Sequence, residues 1–202
     1  MAKDLNKARM RNSRRAVWLV VLLCLISNSW MEDGTPLNEF FEHTGYILSL
    51  ICAFGRIYCT AFLGGRKNQV LMTDGPFSIV RNPLYVFSLI GIVGVGLVSS
   101  RFTILAALLI MHLISYHFLV RREEARLLET FGDAYRDYCA RVKRFIPSFK
   151  HYTQPESIEM QPKLLLIAIR DAWVWLLPYP IFELIDYLRD DAHILPMLFV
   201  MP

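Results

Sequence analysis

The chain has 202 residues, 54% of them hydrophobic, and a formal net charge of +4 at pH 7. An apolar fraction this high, gathered in blocks that carry almost no charge, argues against a water-soluble helical bundle, whose helices alternate polar and apolar faces. The positive charge requires no nucleic-acid partner, because basic residues beside membrane spans bind anionic lipid headgroups. The sequence therefore predicts an all-α, polytopic integral membrane protein with about five transmembrane helices, since about 20 helical residues cross a bilayer.

Two membrane spans are predicted in the N-terminal part of the chain. Residues 1–15 hold six Lys or Arg and one Asp, and the uncharged block 18–31 follows them. We predict a span at 16–31, retained rather than cleaved because no small-residue cleavage site follows it. A second span is predicted at 43–63, where Arg56 is the one Lys, Arg, Asp or Glu.

A tight helical hairpin is predicted from two uncharged blocks, with arms at 83–99 and 102–120. The turn between them is too short to do anything but reverse the chain. At about 1.5 Å of rise per residue, the chain runs about 26 Å out along the first arm and about 33 Å back along the second. Both ends of the hairpin therefore lie on the same side of the membrane. Gly91, Gly94 and Gly96 favour close approach of the arms, because small residues let membrane helices pack tightly.

The polar residues at the open end of this hairpin are predicted to come together. They are Arg81, Asn82 and Tyr85 before the first arm and in its first turn, and Arg122, Glu123 and Glu124 after the second. A carboxylate accepts hydrogen bonds from ribose hydroxyls, the rings of Tyr85, Tyr135 and Tyr138 can face a cation, and arginines bind carboxylates. Together these groups suit S-adenosylmethionine, which has a sugar, a positive centre and an acid group. A solvated ion cluster at the membrane interface is the alternative that spacing leaves open.

Polar residues 121–162 follow the hairpin, and an apolar fifth helix is predicted at 163–188. Within the polar part, apolar and aromatic residues spaced three and four apart predict a helix over 123–138, with a bend at Gly132. The apolar helix contains an Arg-Asp pair that would be costly facing lipid, and two prolines that would kink it. We favour a span over a helix that lies on the membrane surface.

Basic and acidic segments alternate along the chain. The N-terminal tail, the loop at 64–82 and the segment after residue 120 are basic, whereas the segment between the first two spans has four acidic residues and no Lys or Arg. The positive-inside rule therefore places the N-terminus and the open end of the hairpin in the cytoplasm. We divide the chain into a tail with two spans at 1–63, a core at 64–150, and a C-terminal extension at 151–202.

Neither the cysteines nor the histidines form a metal-binding pattern. The four cysteines contain no Cys-x-x-Cys pair, and three lie in apolar blocks, where they are predicted to be small core residues without disulfides. His112 and His117 are five residues apart and therefore offset around their helix. No metal site is predicted.

Residues 75–85, Gly-Pro-Phe-Ser-Ile-Val-Arg-Asn-Pro-Leu-Tyr, carry the most informative motif. They resemble the Gly-Pro-Tyr…Arg-His-Pro-x-Tyr signature of the isoprenylcysteine carboxyl methyltransferase family. Residues 123–147, which begin Glu-Glu and end Arg-Phe-Ile-Pro, resemble that family's second block, and the similarity extends over 64–150. Asn82 departs from the family's histidine, and Asn-Pro-x-Tyr also resembles the related phospholipid N-methyltransferases.

The resemblance implies an integral membrane methyltransferase that uses S-adenosylmethionine, with a cytoplasmic helical segment lying over the cofactor. The cofactor-binding positions that it implies are Gly75, Asn82, Pro83, Leu84, Tyr85 and Glu123, to which the argument from tyrosine rings adds Tyr135. An arginine that contacts substrate in the family falls at Leu119 here, so Arg121 or Arg122 is predicted to replace it.

Methyl transfer requires mainly that donor and acceptor are aligned and water is excluded. A carboxylate acceptor needs a cation such as Arg81 to position it, whereas an amine acceptor must lose a proton, which Glu124 would take. We predict a lipophilic acceptor that enters from the membrane, namely an isoprenylcysteine-like carboxylate, with phospholipid N-methylation as the alternative. Arg56 is predicted either to reach the cytoplasmic surface or to line the acceptor cavity. A nicotinamide-dependent reductase on a similar scaffold and a non-enzymatic membrane adaptor remain as other readings.

Overall fold

The computed structural model describes residues 27–29, 31, 34–64, 69–194 and 199–201. Most of the first predicted span, at 16–31, lies outside these residues. Its end, Ser27–Ser29, forms a short strand, β1, where helix was expected. Elsewhere the described residues are mainly helical, which confirms the predicted all-α class.

The first described helix, α1, runs over Pro36–Leu63 and begins before the predicted span at 43–63. Its start is set by Thr35, whose side chain accepts a hydrogen bond from the backbone N–H of Asn38, with proline in the first turn. Both features are common at helix N-termini because they satisfy or remove free N–H groups. The helix ends at Gly64 in the left-handed region.

The predicted hairpin is confirmed, and its second arm is longer than expected. A short helix, α2 at Pro76–Ile79, precedes the first arm, α3 at Pro83–Val98. The second arm, α4, runs over Phe102–Arg141 and takes in the predicted helix at 123–138, with a kink at Gly132. It continues past residue 120 because Arg, Glu, Ala and Leu follow, which all favour helix. The bend predicted at Gly132 is confirmed by its non-helical φ of 52° and ψ of −121°.

The hairpin glycines pack against different helices from those predicted. A Cβ on Gly94 would lie 2.7 Å from the carbonyl oxygen of Gly45, so this glycine lets α3 approach α1. A Cβ on Gly91 would meet Cys52 of α1 and Trp175, and Gly96 alone of the three faces the second arm. The prediction that all three support contact between the arms is therefore wrong. Two of them instead support the packing of α3 on α1, which is the most extensive helix contact of the described residues.

The predicted fifth helix forms two helices joined at a proline. After a 3-10 turn at Phe149–His151, α5 spans Pro162–Leu176 and α6 spans Pro178–Asp186, followed by a wide helical turn at Tyr187–Asp191. The interruption falls at Pro178, as a residue without an N–H donor requires. α5 packs on α1 and α6 packs on α3, so residues after 151 lie directly against the hairpin.

Three helical stretches of the described residues are long and apolar enough to cross a membrane: Pro36–Leu63, Phe102–Arg141 and Pro162–Arg189. α3, with 16 residues, is a shorter apolar helix. Within the most apolar 18 residues of each of these stretches, only 28%, 17% and 6%, in the same order, are buried in the protein. Most of their apolar surface is therefore left for lipid. The fifth helix thus has the dimensions that we predicted for a span.

The closed end of the hairpin is tied together by one buried arginine and a two-stranded pairing that the sequence did not predict. β1 pairs in parallel with β2, Phe199–Met201. Arg101, which is 1% exposed, donates to the backbone oxygens of Ser99 and Ser27 and lies 3.4 Å from Asp186. This end therefore closes through contacts between residues as far apart in sequence as 27 and 186.

Candidate active site

The motif at 75–82 is fixed against the segment that follows α4. Backbone hydrogen bonds join Arg81 N–H to the Lys143 oxygen at 2.9 Å and Gly75 N–H to the Thr153 oxygen at 2.7 Å. The buried Tyr138 hydroxyl donates to the Phe77 oxygen at 2.7 Å. The motif is thus held in place by residues that lie more than 60 positions later in the chain.

Gly75 has a structural reason to be glycine. Its φ is +58°, a region that L side chains rarely adopt, and a Cβ there would lie 2.2 Å from the ring of Phe62. The Ser78 hydroxyl donates to its carbonyl at 2.6 Å. Gly75 therefore shapes the loop under the end of α1, and it lines neither of the two cavities described below.

The predicted convergence at the open end of the hairpin is confirmed. The Tyr85 hydroxyl donates to Glu123 Oε2 at 2.8 Å, across 38 residues of sequence. Arg81 Nη1 lies 3.5 Å from Glu124 Oε1. Arg122 is exposed and lines neither cavity. The two polar ends of the hairpin therefore meet through one hydrogen bond and one ion pair.

Two cavities lie on either side of Arg81, which contributes to both walls. The inner cavity, of about 90 Å³, reaches from Leu63 and residues 70–72 to Leu127. It includes five of the predicted cofactor positions: Asn82, Pro83, Leu84, Tyr85 and Glu123. The outer cavity, of about 400 Å³, includes Arg121, Glu124 and Tyr135 from the predicted set. The predicted site is thus divided between two adjoining spaces.

Glu124 is held by two arginines. Arg144, which the sequence did not single out as a site residue, donates from Nε at 3.0 Å and from Nη2 at 2.5 Å to the two carboxylate oxygens. This bidentate hydrogen bond raises the pKa of Arg144. Because Arg81 approaches the same carboxylate, Glu124 mainly orients these two cations, and accepting a proton from a substrate would require one of these contacts to break.

Arg81 has hydrogen-bonding capacity to spare. Its Nη1 donates to Cys139 Sγ at 2.7 Å, but its Nε is buried and has no hydrogen-bond partner among the described residues. Leaving a buried donor unsatisfied costs free energy, so such atoms often mark a place for a ligand or water. Arg81 therefore combines a place in the walls of both cavities with a donor that no described residue satisfies.

Tyrosine rings line both cavities and continue into the membrane. Burial raises the pKa of Tyr135. Burial and the neighbouring Tyr135 together raise the pKa of Tyr138. Tyr116 lies with its ring centroid 4.5 Å from that of Tyr85, and His112 lies 4.0 Å from Tyr116. The sequence analysis did not assign Tyr116 to the site, although it is seven residues before Glu123 and so on nearly the same face of α4.

The predicted core positions are confirmed for two of the three cysteines in apolar blocks, and the third, Cys24, lies outside the described residues. Cys52 and Cys59 are buried and free, and Cys139 is free and accepts a hydrogen bond from Arg81. Among the residues that the structure describes, there is no group of three or more His, Cys, Asp or Glu side chains placed to hold a metal ion.

Comparison with known proteins supports the class that this geometry indicates. Residues 43–134 match the phospholipid methyltransferase family, a segment that contains the first arm of the hairpin, most of the second arm and both glutamates. Over 84 residues the chain is 34% identical to the protein-S-isoprenylcysteine O-methyltransferase of Schizosaccharomyces pombe, covering 40% of this chain and 34% of that enzyme. The chain is therefore similar to integral membrane methyltransferases of these two groups, in agreement with the resemblance read from the motifs.

Two bacterial relatives match over more of the chain. The nickel-cobalt-cadmium resistance protein NccN of Alcaligenes xylosoxydans xylosoxydans is 29% identical over 188 residues, which cover 93% of this chain and 87% of that protein. The cobalt-zinc-cadmium resistance protein CzcN of Cupriavidus metallidurans is 32% identical over 143 residues, covering 69% and 66%. No solved structure gives a significant match.

Proposed function

We propose that this protein transfers a methyl group from S-adenosylmethionine to a lipophilic acceptor, at a site formed by the open end of the hairpin in the core at 64–150. The observation that carries this proposal is the 2.8 Å hydrogen bond from Tyr85 to Glu123 beside Arg81. It brings a carboxylate, an aromatic ring and a cation together at the end of two apolar helices. The match of residues 43–134 to the phospholipid methyltransferase family supports the reaction class.

The residues at the site fit the three parts of this cofactor. Glu123 would accept hydrogen bonds from the ribose hydroxyls, and Tyr85 and Tyr138 present aromatic rings near the sulfonium. The unsatisfied Nε of Arg81 would donate to the carboxylate. The inner cavity of about 90 Å³ holds only part of a molecule this large, because sites for drug-sized ligands measure about 300–1,000 Å³. The cofactor would therefore extend past Arg81 into the outer cavity.

When bound, S-adenosylmethionine supplies the activated methyl group. The contribution of the chain is to align donor and acceptor and to exclude water from between them. Asn82 serves this purpose indirectly, because its side-chain amide donates to the Arg144 oxygen at 3.3 Å and anchors the start of α3. We place the open end of the hairpin in the cytoplasm by the positive-inside rule, so that the cofactor enters from water and the acceptor from the lipid.

Equilibrium binding of labelled S-adenosylmethionine to the purified full-length protein in detergent tests the cofactor assignment. We expect saturable binding that falls at least tenfold in Glu123→Gln and in Tyr85→Phe. Tyr85→Phe loses the hydrogen bond to Glu123, and Glu123→Gln loses the negative charge that strengthens the hydrogen bonds it accepts. Glu129→Gln and Tyr187→Phe, which alter exposed residues away from both cavities, are the matched controls. Unchanged binding in both site variants would refute this placement of the cofactor.

The same preparation separates the alternatives. Protection from thermal unfolding by NADPH and not by S-adenosylhomocysteine would favour a reductase, and protection by neither would favour an adaptor. If methylation is found, mild base distinguishes its products: a carboxyl methyl ester releases methanol, whereas an N-methyl group is retained. We propose the carboxylate acceptor, with Arg121 at the rim of the outer cavity, and phospholipid N-methylation is the outcome that would replace it.

The names of the two bacterial relatives give a physiological setting to test. We propose that methylation by this protein contributes to tolerance of nickel, cobalt or cadmium. A strain that lacks the gene should grow less well at elevated metal, and the wild-type gene but not Glu123→Gln should restore growth. Full restoration by the inactive variant would separate metal tolerance from methyl transfer.

A further inference from the structure

Arg56 is a charged residue inside a membrane span, where charge is costly. It lies seven residues before the end of α1, which places it about 10 Å inside the helix end at about 1.5 Å per residue. Charged side chains at such depth are rare, usually pair with other groups in the protein, and mark paths or sites for substrates. What surrounds the guanidinium therefore bears directly on its role.

The guanidinium of Arg56 is held by neutral groups of two other helices. Its Nη1 donates to Ser88 Oγ at 2.6 Å and lies 3.4 Å from the Leu84 oxygen, both on α3. Its central carbon is 5.7 Å from the ring centroid of Trp175 on α5. Three helices thus fix one end of a positive charge and leave its Nε and Nη2 without an acceptor among the described residues.

No carboxylate of the described residues forms an ion pair with Arg56. Of the undescribed stretches, 65–68 and 195–198 contain no Asp or Glu, and 1–26 contains Asp4 alone. Glu32 and Asp33 precede α1 and so belong to its opposite end, more than 20 residues from Arg56. The described residues therefore give this positive charge neutral partners and no counter-ion.

The position of Arg56 connects it to the proposed site. Leu84, whose carbonyl it contacts, lines the inner cavity, and Ser88 lies one helical turn further along α3. Arg56 is thus about one turn deeper in the membrane than the pair Tyr85 and Glu123. A lipophilic molecule whose head reached the cavity from the bilayer would place its polar group beside this guanidinium.

We propose that Arg56 binds an anionic oxygen group, a carboxylate or a phosphate, on the lipophilic methyl acceptor. The planar guanidinium suits such groups because its N–H donors match their oxygens in pairs. Binding would supply the missing counter-ion and fix the depth of the acceptor relative to the methyl donor. This proposal rests on the proposed function for the identity of the ligand as an acceptor, but the anion site itself can be measured alone.

The test uses the full-length protein in a neutral maltoside detergent. Three probes share one apolar chain, a prenyl thioether, and end in a carboxylate, a phosphate or an uncharged alcohol. We expect wild type to bind at least one anionic probe at least about tenfold more tightly than the alcohol, the scale of one charge-assisted hydrogen bond. Arg56→Gln should lose this preference, and Arg56→Lys should keep part of it. Preference for the carboxylate probe would indicate a carboxylate on the natural acceptor, and preference for the phosphate probe would indicate a phosphate.

Arg170→Gln is the matched control, because Arg170 lies on α5 with 74% of its side chain exposed. Binding of S-adenosylhomocysteine, measured on the same samples, should be unchanged in Arg56→Gln. Equal binding of anionic and uncharged probes by wild type would overturn the proposal even if Arg56→Gln failed to fold. A retained preference in folded Arg56→Gln would also overturn it. If the wild-type protein binds anionic probes but no S-adenosylhomocysteine, the proposed function fails and the anion site stands.

Discussion

At the scale of single residues, the site depends on side chains that hold other side chains. Arg144 donates two hydrogen bonds to Glu124, and Glu124 lies within ion-pair distance of Arg81. The side chain of Asn82 donates to the backbone oxygen of Arg144. Three of these four residues were predictable as site residues because they lie in or beside the motifs. The part played by Arg144 was missed, since the bend at Gly132 returns this residue to the hairpin and sequence spacing gives no distance across such a bend.

Replacing Arg144 should affect the cofactor site without removing any group predicted to contact the cofactor. In Arg144→Met, Glu124 keeps only Arg81, which should be drawn toward the carboxylate and away from the cavities. We expect weaker S-adenosylmethionine binding, by about 1–2 kcal/mol or roughly 5–30-fold. Arg141→Met changes a neighbouring exposed arginine that has no contact with Glu124. Equal affinity in wild type and Arg144→Met would show that the Glu124 contacts do not position Arg81.

Tyr138 should make stability depend on alkaline pH. Burial raises its pKa above the ordinary value of about 10, so folding favours the protonated phenol. Its contribution is fully present below about pH 10 and is lost as the pH rises from there through the higher folded pKa, because the unfolded chain releases the proton first. Thermal unfolding in detergent at pH 8 and pH 11 should show a smaller alkaline loss for Tyr138→Phe than for wild type. Identical losses would contradict this account.

At the scale of helices, apolar blocks predicted the hairpin correctly but not which helices it contacts. An uncharged block indicates that a helix crosses the membrane, whereas its partners depend on which face carries the small residues. Gly94 faces Gly45, and Gly91 faces Trp175, across large separations in sequence. The length of α4 was underestimated for a related reason. The apolar block ends at residue 120, whereas residues that favour helix follow it, and helical structure continues past the kink at Gly132 to Arg141.

The contact between α1 and α3 should tolerate no added methyl group at Gly94. The new Cβ would lie 2.7 Å from the Gly45 oxygen, so Gly94→Ala must push the two helices apart. We expect a loss of about 1–3 kcal/mol in the free energy of unfolding, measured by denaturation in mixed detergent. Ala107→Val, which adds more volume at an exposed position of α4, should cost far less. A neutral Gly94→Ala would mean that the helices are not in this close contact.

At the scale of the whole molecule, the described structure has two polar ends separated by apolar helices. The open end of the hairpin carries the proposed methyltransferase site, and the closed end is fixed by Arg101, Asp186 and Arg189. The sequence indicated the first end through its motifs. It gave no signal for the second, because strand β1 and Asp186 lie 74 and 85 residues from Arg101. Contacts between distant segments of that kind have no local pattern.

The closed end should matter for stability and not for cofactor affinity. Arg101→Gln leaves Asp186 with one fewer cationic partner and removes the Arg101 link between the hairpin turn and β1, whereas the hydrogen bond from Ser29 to the Ser100 oxygen remains. We expect a loss of about 3 kcal/mol in unfolding free energy, the scale for breaking a buried ion pair. The S-adenosylmethionine dissociation constant of the folded fraction should stay within about twofold of wild type, because additivity holds for distant sites. A large change in that constant would show that the two ends are coupled.

The central claim is that the two ends of the hairpin form one binding site for a methyl donor. Ultraviolet crosslinking of radiolabelled S-adenosylmethionine to the full-length protein, followed by peptide mapping, tests this most directly. The account predicts label in peptides from both 75–85 and 121–141, and its loss when unlabelled S-adenosylhomocysteine is added. Label that is not displaced, or that lies only in peptides outside these two segments, would contradict it.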